Sequence, residues 1–111
     1  MKKICLALDL VNKKELIDEY INYHKSVWPE VESSIIDSGI KKMEIYSIYD
    51  RLFMIIHVSK DFSFENKSKL EIKNKIVRKW EVLMSKYQKI LPNTNKNKKW
   101  KLMDKIYELQ T

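Results

Sequence analysis

Residues 40–58 read IKKMEIYSIYDRLFMIIHV, the pattern of two β-strands joined by a tight turn. Residues 40–49 alternate between two faces, and a period of two is typical of a strand. Residues 52–58 are almost continuously apolar, which predicts a central strand covered on both faces. Only Asp50 and Arg51 connect the two segments, so we expect an antiparallel hairpin.

The chain before this hairpin predicts a strand followed by a long helix. Residues 4–10 alternate in the same way and form the first strand. Asn12 fits a helix N-cap, with Glu15 three residues later to complete a capping box. The helix runs to Ser38. Gly39, the only glycine of the chain, lies where a helix C-terminus often adopts a left-handed conformation.

The chain after the hairpin predicts a second helix and a last strand. Residues 59–70 are mostly polar and form a connection with a helical turn. A long helix follows over residues 72–91 and ends at Pro92. Residues 93–99 predict an exposed polar loop, and residues 100–109 predict the last strand. The apolar stripe of the second helix consists of Ile72, Ile76, Val77, Trp80, Leu83, Met84, Tyr87, Ile90 and Leu91.

The order βαββαβ predicts an α+β fold of the ferredoxin-like, split βαβ type, with four antiparallel strands backed by two helices. With 111 residues, the chain fits a single domain over residues 1–111. The sheet face opposite the helices carries too many large side chains for a soluble monomer. We therefore expect a homodimer joined through the sheets, as in a dimeric α+β barrel.

Composition limits the function classes. The net charge is +7, but Arg51 and Arg78 are the only arginines among 22 basic residues, and the lysines are scattered. Because arginine is the residue that reads phosphates and bases in a bidentate manner, we expect no nucleic-acid partner. Cys5 is the only cysteine, which fits a reducing, cytoplasmic location. Asp9 interrupts the first apolar run, and no stretch is long enough to span a membrane.

The least ordinary residues lie in the first helix. Tyr20, His24 and Trp28 are spaced at i, i+4 and i+8, so they project from one side of a helix. Pro29 has no N–H to donate to the fourth preceding carbonyl, and its ring crowds that carbonyl. The helix should therefore bend or restart beside His24, with Ser26 as the N-cap if it restarts. A histidine at such a break is a candidate proton carrier.

These motifs resemble the L-rhamnose mutarotase family, which includes the related L-fucose mutarotases. The resemblance rests on Y-x3-H-x3-W-P-E at residues 20–30, on W-x2-L-M at residues 80–84, and on the closing segment at residues 100–109. It covers nearly the whole chain and keeps the order of the elements.

The resemblance implies an isomerase that interconverts the α and β anomers of a 6-deoxy-L-sugar, L-rhamnose or L-fucose, without a metal or an organic cofactor. It implies that His24 is the proton donor and that Tyr20 contacts the sugar. Trp80 corresponds to one member of an aromatic pair that lines the pocket. Trp28 and Trp80 can each offer a flat apolar surface to the deoxysugar.

Two positions depart from the rhamnose-type pattern. Lys79 replaces the other member of the aromatic pair, and Met43 replaces a tyrosine on the second strand. These changes leave the reaction type intact and favour a fucose-like substrate. His57 and Trp100, outside the motif, are interpreted as core or pocket-wall residues.

Two alternatives belong to other classes. The fold hosts unrelated chemistries, so a cofactor-free monooxygenase would fit the same scaffold. A non-catalytic module could instead use the lysines to bind RNA or an acidic partner.

Overall fold

The computed structural model describes residues 2–91 and 99–111. The predicted helix stop at Pro92 lies outside the described residues, as does nearly all of the loop predicted at residues 93–99. The elements in chain order are β1 (Lys2–Leu10), α1 (Lys14–Tyr23), α2 (Pro29–Asp37), β2 (Ile40–Ile48), β3 (Arg51–Val58), α3 (Phe64–Lys73), α4 (Lys75–Ser85), β4 (Gln88–Lys89) and β5 (Lys101–Leu102).

The sheet confirms the predicted ferredoxin-like α+β arrangement. Its strand order is β2-β3-β1-β4, β5 also pairs with β1, and all the pairs are antiparallel. The hairpin is present, with Ile48 opposite Arg51. Its turn is therefore formed by Tyr49 and Asp50, one residue earlier than predicted. Tyr49 has a φ of 51°, a left-handed conformation that two-residue hairpin turns require.

The two faces of the sheet differ in their cover. On the helix face, strand residues such as Leu8, Leu52 and Ile56 are almost fully buried. On the opposite face, Phe53 and Ile55 of β3 are only half-buried in the single chain. β3 is thus central as predicted, but within one chain only its helix face is fully covered.

The first predicted helix is two helices. α1 begins at Lys14 after Lys13, which makes no side-chain capping bond, so the capping box predicted at Asn12 and Glu15 is wrong. α2 begins at Pro29 after Trp28, so Ser26 is not the N-cap. Trp28 is extended (φ −59°, ψ 133°) because the proline ring disfavours a helical residue before it, and proline at the first helical position needs no N–H partner.

The end of the first predicted helical region is confirmed at Gly39. α2 ends at Asp37, and Gly39 has a φ of +100°. A Cβ there would lie 2.7 Å from the Ser59 hydroxyl oxygen, so glycine meets both the conformation and the space of this turn.

The second predicted helix is wrong at both ends. Most of the predicted connection at residues 59–70 is α3, and Ser63 caps α3 by accepting a hydrogen bond from the Asn66 N–H. Ile72 belongs to α3 and is 67% exposed, so it is not on the buried stripe. α4 ends at Ser85 because the chain then enters β4. The centre of the stripe is confirmed, since Val77, Trp80, Met84 and Tyr87 are buried.

The last predicted strand, residues 100–109, is realised only at Lys101–Leu102. The Met103 N–H still donates to the Cys5 carbonyl, and residues 103–111 have no regular structure and are exposed. Their alternating pattern therefore has no partner strand among residues 2–91 and 99–111. None of the helices in the described residues is long and apolar enough to cross a bilayer.

Candidate active site

His24 lies where α1 ends, and its ring is held by the last turn of that helix. The His24 backbone N–H donates to the Ile21 carbonyl three residues back, which leaves the Tyr20 carbonyl to the imidazole. His24 Nδ1 is 2.8 Å from the Tyr20 carbonyl oxygen. Because a carbonyl only accepts, Nδ1 carries the proton in this bond. In the neutral ring, Nε2 is therefore the nitrogen with the free lone pair.

Two aromatic rings contact this imidazole, and a third packs against one of them. The Tyr20 ring centroid is 4.5 Å from that of His24, at an interplanar angle of 36°. The Trp80 ring lies 5.6 Å from His24, edge to face, and Trp28 lies 5.1 Å from Trp80 in a similar arrangement. The structure thus brings together all four residues that the sequence singled out. α1 contributes Tyr20 and His24, the α1–α2 connection contributes Trp28, and α4 contributes Trp80.

Like Trp80, at 5% exposure, Tyr20 is buried, at 3%. Its hydroxyl oxygen accepts a hydrogen bond from Gln88 Nε2 at 3.3 Å. Burial raises the pKa of Tyr20 to about 12, against a smaller opposing effect of the Gln88 bond. At neutral pH Tyr20 is therefore a phenol, able to donate or accept a hydrogen bond but not to act as a strong base.

Two further polar residues near the group were missed by the sequence reasoning. Gln88 lies in β4, 68 residues from Tyr20, and no local spacing signals that contact. Glu81 follows Trp80 on α4, and its pKa is raised first by partial burial and then by the charge of Glu71. Lys99 opposes this rise, with its ammonium 3.8 Å from the Glu81 carboxylate.

The remaining sequence candidates lie elsewhere. Met43 packs against one of the two hydrophobic core clusters. Lys79 is exposed on α4. His57 is half-buried on the sheet face away from the helices, opposite Lys3 and Lys42. Trp100 packs against both core clusters, which confirms its interpretation as a core residue.

His24 is half-buried, so it is not sealed in the core. Two surface concavities of the described residues lie elsewhere. One of about 460 Å³ lies over α1, and one of about 300 Å³ lies between α2 and α3. Within residues 2–91 and 99–111, no cluster of three or more His, Cys, Asp or Glu side chains could hold a metal ion.

Known proteins resemble this chain along nearly its whole length. Residues 3–109 match the family model described as L-rhamnose mutarotase. An L-fucose mutarotase of Xanthomonas campestris is 34% identical over 98% of this chain and 89% of its own. A UPF0734 protein of Dictyostelium discoideum is 39% identical over 97% of this chain and 90% of its own. An L-rhamnose mutarotase of Paraburkholderia phymatum is 27% identical over 79% of this chain and 80% of its own.

Solved structures show the same fold. A crystal structure of L-rhamnose mutarotase from Formosa agariphila superposes with a TM-score of 0.70, at 19% identity, over 99% of this chain and all of that one. Tetracenomycin F2 cyclase from Streptomyces glaucescens superposes at 0.59 with 9% identity, so the fold alone does not decide the reaction. On the match over residues 3–109 and the identity to the L-fucose enzyme, the chain belongs to the L-rhamnose mutarotase family and is an isomerase that acts on carbohydrates.

Proposed function

We propose that this protein interconverts the α and β anomers of a 6-deoxy-L-sugar, with His24 as the acid that opens the ring. The observation that carries the proposal is the bond from His24 Nδ1 to the Tyr20 carbonyl, in a histidine that is only half-buried. That bond directs Nε2 to the reaction. Nδ1 carries a proton in both the neutral ring and the imidazolium, so the bond persists while Nε2 gains and loses its proton.

The reaction needs two proton transfers and no redox chemistry. Nε2–H of the imidazolium donates its proton to the ring oxygen O5, and a base takes the proton of the O1 hydroxyl. The C1–O5 bond breaks and C1=O1 forms. Rotation about C1–C2 presents the other face of the aldehyde, O5 attacks C1, and the two protons return. One positioned acid or base contributes roughly 10²–10⁴-fold to such a step.

Trp28 and Trp80 are proposed to receive the apolar face and the methyl group of the deoxysugar. The Trp80 ring lies beside the imidazole and Trp28 packs against Trp80. Trp28 is half-buried, so part of its surface is accessible. Such rings give large contact areas at a small entropic cost. Contact of the sugar with Tyr20 stays a prediction, and a cytoplasmic location also stays one.

L-fucose is the preferred candidate over L-rhamnose. The L-fucose mutarotase relative is more similar to this chain, and over more of it, than the L-rhamnose mutarotase relative. The departures from the rhamnose-type pattern at Met43 and Lys79 also favour a fucose-like substrate.

We also propose that two copies pair through the outer sheet face, the face opposite the helices. No helix of the described residues covers it, and Tyr46 and Ile48 are 53% and 66% exposed there. A contiguous apolar patch of this kind marks an interface in soluble proteins. The face consists of Cys5, Ala7, Tyr46, Ile48, Phe53 and Ile55, together with the polar residues between them.

Exchange spectroscopy by NMR tests the proposal directly, because it measures transfer between the α and β signals at equilibrium. We expect catalysed exchange for L-fucose, and a loss of roughly 10²–10⁴-fold in rate in His24→Ala. His57→Ala is the matched control, since that histidine lies on the other side of the sheet, and it should keep the rate.

Three outcomes would overturn the assignment. Full activity in His24→Ala would remove the histidine from the mechanism. Absence of exchange on every aldose, with RNA binding that weakens steeply as salt rises, would favour the binding module. Absence of exchange with consumption of oxygen would favour the monooxygenase.

A further inference from the structure

The side chain of Gln88 is half-buried in β4, and β4 is fixed to the sheet by the pairing of Gln88 with Leu10. Its amide nitrogen donates to the Tyr20 hydroxyl at 3.3 Å. Its amide oxygen is buried and has no hydrogen-bond partner among the described residues. The mechanism above assigns no role to this residue.

Tyr20 contacts the imidazole of His24 in two ways. Its carbonyl accepts the Nδ1 hydrogen bond, and its ring lies 4.5 Å from the His24 ring. The other side of the Tyr20 ring meets Tyr87, at 6.1 Å between centroids. A movement of the Tyr20 ring therefore moves the surface on which the imidazole rests.

Among the described residues, Gln88 is the hydrogen-bond partner of the Tyr20 phenol. A buried hydroxyl without a partner is destabilising, because it loses its hydrogen bonds to water and gains none in the protein. Without the amide, the ring is expected to turn towards solvent or to admit water, and either change displaces it from the His24 ring.

Packing alone does not account for a glutamine at this place. The amide oxygen, without a partner among the described residues, is itself unfavourable. A leucine of similar volume would fill the space beside Tyr20 without that cost. The amide of Gln88 is therefore explained by its hydrogen bond to the phenol of Tyr20.

From these contacts we propose that Gln88 is a positioning residue that orients the His24 imidazole through Tyr20. The effect on catalysis rests on the proposed function, whereas the effect on the position of the imidazole does not. The two are measured separately.

The first measurement follows the ring itself. The carbon-bound protons of His24 should be shifted upfield by the Tyr20 ring in the wild-type protein. In Gln88→Leu, we expect these resonances to move towards ordinary histidine positions and the Nδ1-protonated tautomer to lose population. Tyr20→Phe removes the same hydrogen bond from the other side and should move the same resonances, so the test survives if Gln88→Leu does not fold. Gln110→Leu is the matched control, because that exposed amide bonds only to Glu108.

The second measurement is a double-mutant cycle on anomer exchange. In Gln88→Leu we expect kcat to fall about tenfold with KM changed less than about threefold, since misplacement of a catalytic group affects the chemical step. In the Tyr20→Phe background, Gln88→Leu should cause no further loss, because the shared bond is already gone. The wild-type pH profile should keep its shape in Gln110→Leu.

The outcomes separate the two proposals. Unchanged His24 resonances and kcat in Gln88→Leu would overturn the positioning role while leaving the mutarotase assignment standing. Additive losses in the cycle would also overturn it. Absence of anomer exchange in the wild type, with the expected shifts of His24 in Gln88→Leu, would overturn the proposed function and leave the positioning role intact.

Discussion

At the scale of single residues, the buried phenol of Tyr20 makes stability depend on alkaline pH. Burial raises its pKa from 10.0 to about 12, so the folded chain holds this proton at a pH where the unfolded chain has lost it. The stabilisation is complete below pH 10 and is lost as the pH rises through about 12. Two pKa units correspond to roughly 2–3 kcal/mol.

In the wild-type protein, the free energy of unfolding should fall between pH 10 and 12. In Tyr20→Phe that fall should be smaller, because the buried phenol is gone. Denaturant unfolding at several pH values gives the free energy of unfolding of both proteins. Their difference should shrink by roughly 2–3 kcal/mol over that interval. Tyr49→Phe serves as the control, because Tyr49 is 88% exposed and should leave the slope unchanged. Parallel curves for wild type and Tyr20→Phe would show that the phenol is not responsible.

The site residues differ in how far the sequence could reveal them. Tyr20 and His24 were visible because a spacing of four places them on one side of a helix. Trp28 lies outside that spacing in the structure, because α1 ends at Tyr23 and Trp28 belongs to the connection to α2. Trp80 needed the family motif, since its partners lie on another helix. Gln88 left no signal, because a contact between residues 68 apart has no periodicity.

At the scale of elements, α3 and α4 are separated by Asn74. Its backbone is extended (φ −105°, ψ 111°), and its side-chain oxygen accepts from the N–H groups of Ile76 and Val77 at 3.0 and 3.2 Å. A side chain that competes with the backbone in this way ends one helix and begins the next. α4 then aims Trp80 at His24.

Replacement of this cap should destabilise the protein without a change in its chemistry. For Asn74→Ala we expect a loss of about 1 kcal/mol in the free energy of unfolding, or roughly 4–8 °C in Tm, with KM unchanged. Asn66→Ala is the matched control, since its side chain is exposed and caps nothing; its Tm should hold or rise slightly. Equal Tm values for the two variants would argue against the cap.

Element types were predictable where one face is buried, and boundaries were not. The stripe of α4 and the alternation of β1 follow burial directly, whereas the burial of β2 does not alternate. The breaks at Ser63, Asn74 and Trp28 depend on single capping or pre-proline residues, which a search for apolar periodicity passes over. The segment after Leu102 alternates like a strand but pairs with no strand in the part of the chain that the structure describes, so pattern alone overstated it.

At the scale of the whole molecule, the strand order places all helices on one face and leaves the other to solvent. The order followed from the sequence because βαββαβ connections admit few arrangements. The large side chains of the second face predicted a homodimer from the sequence, and that pairing stays a prediction. Large side chains on a sheet without helices are better explained by a second copy than by exposure to water.

The proposed interface on the outer sheet face can be tested by mutation. Tyr46→Lys with Ile48→Lys puts two charges on the outer sheet face and should convert a dimer into a monomer, as light scattering after size exclusion would show. Ile72→Lys with Val82→Lys is the matched control, because those side chains are 67% and 73% exposed but lie on α3 and α4. The control should stay dimeric, since charges there meet only water. A wild-type chain that elutes as a monomer, or a sheet-face variant that remains a dimer, would refute pairing through this face, and the apolar residues there would then need another partner.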